Sequence, residues 1–272
     1  EMLSIDKSSI TIMGQIENNQ RLTILDGLHV LSDAAVGSGS DIEIRDIVVK
    51  NYTSNGLMLN HARNVTYRNL ECHNTGLYGI YPVECVGVII EDCLVTGTSD
   101  AGIYVGQSKD IIVRGNIAHG NVTGIEIENS TFADVYDNVT TNNTGGILVF
   151  DLPGLPVQGG RNTRVFNNEI INNNTSNFAP EGNIVGTVPA GSGLMVLAND
   201  SIEVFGNTFT DNNSANILIL SYFITERPFE DENYDPFPEA INIHNNEFNG
   251  GGTDPDSEPL VALQAATGQP IP

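Results

Sequence analysis

The chain has 272 residues and a net charge of −23, with 34 acidic against 11 basic side chains, no tryptophan and three cysteines. Such a negative field excludes nucleic acid and anionic membrane surfaces as partners, and it disfavours an anionic polysaccharide unless a bound cation or basic pocket inverts the sign. No apolar run is long enough to span a membrane, and the first residues lack the basic and apolar stretches of a signal peptide.

In chain order, residues 1–38 read as irregular early coils. The short strands Ser4-Ile5-Asp6, Ile10-Thr11-Ile12 and Leu22-Thr23-Ile24-Leu25 are divided by turn residues, and no amphipathic segment is available to cover an open end. From residue 39 a regular beat begins. Gly56, Gly79, Gly102, Gly124 and Gly146 follow one another at intervals of 23, 23, 22 and 22 residues, each opening an alternating run such as Gly102-Ile103-Tyr104-Val105. A fixed period in the low twenties marks a solenoid, and alternation after each glycine makes its unit a strand. Four coils are predicted over residues 39–62, 63–85, 86–108 and 109–130. Each places an apolar-x-apolar strand before a polar corner and then the glycine strand.

A second column closes the case. Val113-Arg114-Gly115-Asn116, Val135-Tyr136-Asp137-Asn138, Val165-Phe166-Asn167-Asn168, Val204-Phe205-Gly206-Asn207 and Ile243-His244-Asn245-Asn246 all end in asparagine, where earlier coils place Ile47, Leu70 and Cys93. Asparagine carries donors and an acceptor and tolerates tight turns, so stacked copies can bond coil to coil. One outward column, Arg45, Arg68, Glu91 and Arg114, reads as a surface charge ladder of small energetic worth. Cys72, Cys85 and Cys93 read as buried thiols rather than a disulfide or metal set. Loop insertions are predicted near 151–160, 172–192 and 222–238, and from Gly250 the composition predicts a loosely held tail. The pattern specifies an all-β chain: a right-handed parallel β-helix of roughly 22-residue coils and three sheets. It forms a single domain over 1–250, followed by a tail over 251–272.

The runs Tyr78-Gly79-Ile80-Tyr81-Pro82-Val83, Ser99 to Ser108, Gly124 to Ser130 and Asn142 to Pro156 resemble a family of secreted bacterial parallel β-helix repeat proteins. The resemblance covers most of residues 40–250. It implies the fold and export, to an extracellular, periplasmic or cell-surface location, and no particular activity. The wider superfamily includes pectate lyases, alginate lyases and mannuronan epimerases, a likeness at the level of fold. The Asp-Pro-His-Asp string of the epimerases is absent; the nearest run, Asp235-Pro236-Phe237-Pro238, lacks the histidine.

Projecting the glycine strands onto one sheet places Met58, Tyr81, Tyr104, Glu126, Leu148, Met195 and Leu218 in one outward column. Asn60, Val83, Gly106, Glu128, Phe150, Leu197 and Leu220 form its neighbour. The apolar lower part needs a cover, either the insertions at 151–160 and 222–238 or another protein. Above it, Tyr81, Tyr104 and Glu126 are the catalytic candidates: tyrosines stack on sugar rings and move protons, and Glu126 with Glu128 makes a carboxylate pair. His61, Gln107 and Asp151 are candidate substrate-binding residues. Glu126, Glu128 and Gln107 are candidate calcium ligands, since calcium takes oxygen donors. The same residues also fit a plain hydrogen-bonded surface stack. Two functions stay open: a protein that binds or acts on polysaccharide, or a noncatalytic surface protein that docks another extracellular protein, or a copy of itself, through its apolar stripe or coil ends.

Overall fold

A computed structural model describes residues 2–271. Three nine-stranded, wholly parallel sheets wrap one hollow coil, and a short antiparallel pair, Ile16–Glu17 with Gln20–Arg21, projects from an early turn. The first sheet carries the glycine strands, from Leu3–Ile5 through Ala101–Gly106 and Thr123–Glu128 to Ala215–Leu220. The second runs from Ile10–Met13 to Asn242–His244, and the third holds three-residue strands from Ile24–Asp26 to Glu247–Asn249. This is the predicted right-handed parallel β-helix.

Stacking follows from the sequence period. Ile44, Tyr67, Ile90, Val113, Val135, Val165 and Val204 pair rung on rung, and all are buried. Each of the aliphatic side chains among them contributes about 1.5–3 kcal/mol on burial. Every corner must turn the chain sharply, and the backbone does so in the left-handed region. Asp46, Asn69, Asp92, Gly115, Asp137, Asn167, Gly206 and Asn245 share this conformation at one corner, which Asn, Asp and Gly tolerate best.

Beside that corner, the asparagine ladder forms as expected. Asn116 Nδ2 donates to Asn138 Oδ1 at 2.9 Å, Asn138 to Asn168 at 3.0 Å, Asn168 to Asn207 at 2.9 Å and Asn207 to Asn246 at 3.0 Å. The upstream coils fill the same place with Ile47, Leu70 and Cys93; the backbone N–H of Cys93 donates to Asn116 Oδ1. A second ladder, not foreseen from the sequence, runs through Asn121, Asn143, Asn173 and Asn212 and ends on Asn216 Oδ1. The three cysteines are free and buried.

The outward apolar stripe is covered by the chain itself. Leu148, Phe150, Met195, Leu197 and Leu218 join Val185, Val188, Tyr222 and Tyr234 in a second hydrophobic cluster. The expectation that segments 151–160 and 222–238 would supply the cover is therefore incomplete: Val185 and Val188 belong to the 172–192 insertion. The stripe is thus buried within the chain itself, which is the first of the two covers expected from the sequence. The tail also departs from expectation. Glu258–Thr267 forms an α-helix whose Pro259 opens it and whose Gly268 ends it at φ 64°. The Gly, Pro and acidic composition from Gly250 points to a loose tail, and these start and stop signals are what that reading passes over.

Candidate functional site

The glycine sheet places Tyr104 beside Glu126, and Gly106 beside Glu128, in register on adjacent rungs. Tyr81 lies one rung earlier, its ring 5.0 Å from that of Tyr104. Tyr78, just before the same strand, completes a trio at 4.4 Å from Tyr81 and 4.7 Å from Tyr104. The column projected from the sequence is thus the one observed. Tyr104 lies along its own strand over Gly106, where a Cβ would stand 2.2 Å from the tyrosine hydroxyl. Glycine at 106 is what lets the phenol reach the next rung, and there Tyr104 Oη donates to Glu128 Oε1 at 2.6 Å.

Behind the rings sit three carboxyl groups. Glu126 is 1% exposed, Glu128 6% and Asp100 5%. Burial pushes Glu126 well above the usual carboxylate range, and the neighbouring Glu128 and Asp100 charges add to it. Burial also raises Glu128 to about 7, against the lowering effect of the Tyr104 hydroxyl bond. Asp100 rises to about 6 for the same reason, although Tyr78 and Asn183 both donate to it, at 3.3 and 2.7 Å. Burial holds all three phenols in the neutral form. The cluster is therefore largely protonated below neutral pH, which is how several acids share a low-dielectric space with no cation beside them. Glu126 Oε2 and Gln107 Oε1 are buried with no hydrogen-bond partner.

The other predicted site residues separate. Gln107 and His61 both occupy the left-handed corner that follows the glycine strand, at φ 53° and 52°. His61 is exposed and pairs with Glu84 at 2.6 Å, away from the carboxyl cluster. Asp151 does not face the tyrosines: its Oδ1 accepts the Gly160 N–H at 2.8 Å, and its backbone carbonyl accepts the Tyr234 hydroxyl at 2.6 Å. It ties the 151–160 loop to the 222–238 loop. Among the described residues, no three His, Cys, Asp or Glu side chains converge in metal-binding geometry.

Tyr78, Asp100 and Asn183 escaped the sequence reading. Tyr78 and Asp100 stand just before the glycine of their coils, where the repeat phrase drew attention to the strand instead. Asn183 lies 83 residues beyond Asp100 on an insertion, and no periodicity could have joined them. A second aromatic column was also unforeseen: Tyr136, Phe166, Phe205 and His244 stack at 4.7, 4.9 and 5.2 Å, with planes within 9°. Their faces are spent on one another, so the column braces the second sheet and offers no ring face to a sugar.

Stacked parallel rungs in three sheets define a right-handed β-helix protein. Residues 15–159 match the family described as right handed beta helix region, and the chain belongs to that family. No curated protein sequence matches. Among solved structures, the alginate lyase from Paenibacillus sp. strain FPU-7 is similar at 16% identity and TM-score 0.58, over 90% of this chain and 87% of the lyase. The periplasmic alginate epimerase AlgG is similar at 13% identity and TM-score 0.57, over 89% and 68%. DFA-IIIase from Arthrobacter chlorophenolicus A6 is similar at 12% identity and TM-score 0.54, over 98% of this chain and 60% of that one. At these identities the likeness is one of fold.

Proposed function

We propose that this β-helix binds or acts on carbohydrate outside the cytoplasm, with its site at Tyr78, Tyr81, Tyr104, Asp100, Glu126 and Glu128. The observation that carries the reading is three mutually packed tyrosines beside a set of buried carboxyls, with one hydroxyl bonded directly to Glu128. Half-buried Tyr78 and Tyr81 offer ring surface for a sugar. A carboxyl raised to about 7 can donate a proton to a leaving oxygen near neutral pH, and Glu128 is the group placed to do so. Glu126, which burial keeps protonated beside it, would act as a second proton donor. The fold of the alginate epimerase, the alginate lyase and DFA-IIIase supports the carbohydrate reading by analogy.

Among the described residues, no lysine or arginine side chain bonds to this cluster, so an uncharged glycan suits the site better than a uronate. Calcium would change that preference. The unpartnered oxygens of Glu126 and Gln107, with Glu128, are donors of the type calcium takes, and the ion would displace the protons of the two carboxyls. A glycan array of neutral and uronate oligosaccharides, repeated with chelator and with calcium, tests the reading. Binding or turnover lost in Glu128→Gln and weakened in Tyr81→Ala is expected; a blank array, with no reducing sugar and no unsaturated uronate released, would sink it. A second reading, self-association through the coil ends, rests on exposed Leu28, Val30 and Phe248; a strict monomer by light scattering over a wide concentration range would remove it.

A further inference from the structure

The cover over the apolar stripe does not fill the space beneath it. A cavity of about 280 Å³ remains between the glycine sheet, the turn Ile184–Thr187, the turn Tyr222–Thr225 and the C-terminal helix. Met195 and Leu218, from adjacent rungs, line its floor; Ile224 and Leu260 line its walls. Two of the lining hydroxyls are already spent: Thr187 Oγ1 donates to the Ile184 carbonyl at 2.7 Å and Thr225 Oγ1 to the Tyr222 carbonyl at 2.9 Å. A polar ligand would find little to bond. At the same time the packing leaves apolar surface unused, since Ile224 is 48% and Leu263 49% exposed although both line the cavity.

We propose that this cavity binds an unbranched alkyl chain. Its volume decides the length: an apolar cavity of about 150 Å³ stays dry and takes benzene, so this one suits roughly ten carbons. The walls fit a flexible chain, because methionine and leucine side chains adapt to its shape. Half-buried Ser257 lines the cavity and makes no capping bond to the helix it precedes; its hydroxyl receives the polar end of the chain. Phe150, which also lines the cavity, pairs with Glu128 on the adjacent rung, yet the binding mode needs nothing from the carboxyl cluster.

Calorimetric titration of the full chain with n-hexanol, n-octanol and n-decanol tests the assignment. Saturable binding is expected to tighten about fourfold per added methylene until the cavity is full. Leu263→Asp sets a charge beside the chain at an exposed position that the fold does not need, and should weaken decanol at least tenfold. Met195→Trp fills the cavity from its floor and should abolish binding, while a cooperative melt shows that the coil is intact. Glu128→Gln should leave decanol affinity unchanged, which separates this site from the glycan site. Absence of saturable heat with decanol, an affinity indifferent to chain length, or wild-type affinity in Leu263→Asp would each overturn the proposal.

Discussion

The coils before Arg114 and those after it solve the same stacking problem with different materials. Upstream, one corner is packed with Ile47, Leu70 and Cys93; downstream, the equivalent places hold Asn116, Asn138, Asn168, Asn207 and Asn246. On the second sheet, Arg68, Glu91 and Arg114 give way to stacked Tyr136, Phe166 and Phe205. On the glycine sheet, half-open tyrosines give way to leucine and methionine under three insertions and a helix. A parallel coil therefore constrains the spacing of its rungs more than the chemistry of its columns. What a column requires is that each side chain suit the one directly above and below it.

The sharpest way to break the contrast is to impose the upstream corner on a downstream rung. Asn138→Leu leaves the backbone N–H and one Nδ2 hydrogen of Asn116 without their acceptor in a dry interior, while Asn168 Oδ1 keeps only the residue-138 N–H. With each orphaned buried group costing about 1–3 kcal/mol, equilibrium urea unfolding should show a loss of about 3–5 kcal/mol. A loss below about 1 kcal/mol would mean that the ladder is ornamental, and that either material serves either half.

Glu126 sits where the tyrosine part of the column meets its apolar part, and its burial makes a pH signature. Asp100, Glu126 and Glu128 are all raised in the folded protein above the ordinary carboxylate value. The folded state then binds more protons than the unfolded one, so stability falls as pH rises from about 4, and the penalty is complete only above the folded values, near 7 for Glu128. Thermal melts between pH 4 and 8 should show this decline. Glu126→Gln should flatten it and raise stability at pH 8. Stability that instead climbs toward pH 8 would refute the buried protonated cluster.

The smallest effect belongs to the upstream charge ladder. Glu91 accepts from Arg68 at 2.5 Å and from Arg114 at 2.6 and 2.8 Å. Its burial pushes the pKa up, but the two guanidiniums outweigh that and leave it lowered. Because both arginines are about half exposed, solvent screens the pairing, and Glu91→Gln should cost about 1 kcal/mol, diminishing in high salt. A cost equal to that of Asn138→Leu would erase the proposed difference between surface and interior ladders.

Much of this molecule is legible in its letters, because a parallel coil converts sequence interval into vertical neighbourhood. Gly102 and Gly124 stand 22 residues apart, and that interval alone puts Tyr104 on Glu126 and Gly106 on Glu128. The asparagine ladder at the second-to-third-sheet corner was visible for the same reason. Periodicity carries no information about what leaves the coil and returns. Only the folded chain brought Asn183 to Asp100, turned Asp151 away from the tyrosines toward Gly160, laid Val185 and Val188 over Leu148, and raised the helix Glu258–Thr267 against the apolar face. Those contacts are chosen by burial and by satisfying polar groups across long loops, and such choices depend on the whole surface rather than on any local rule.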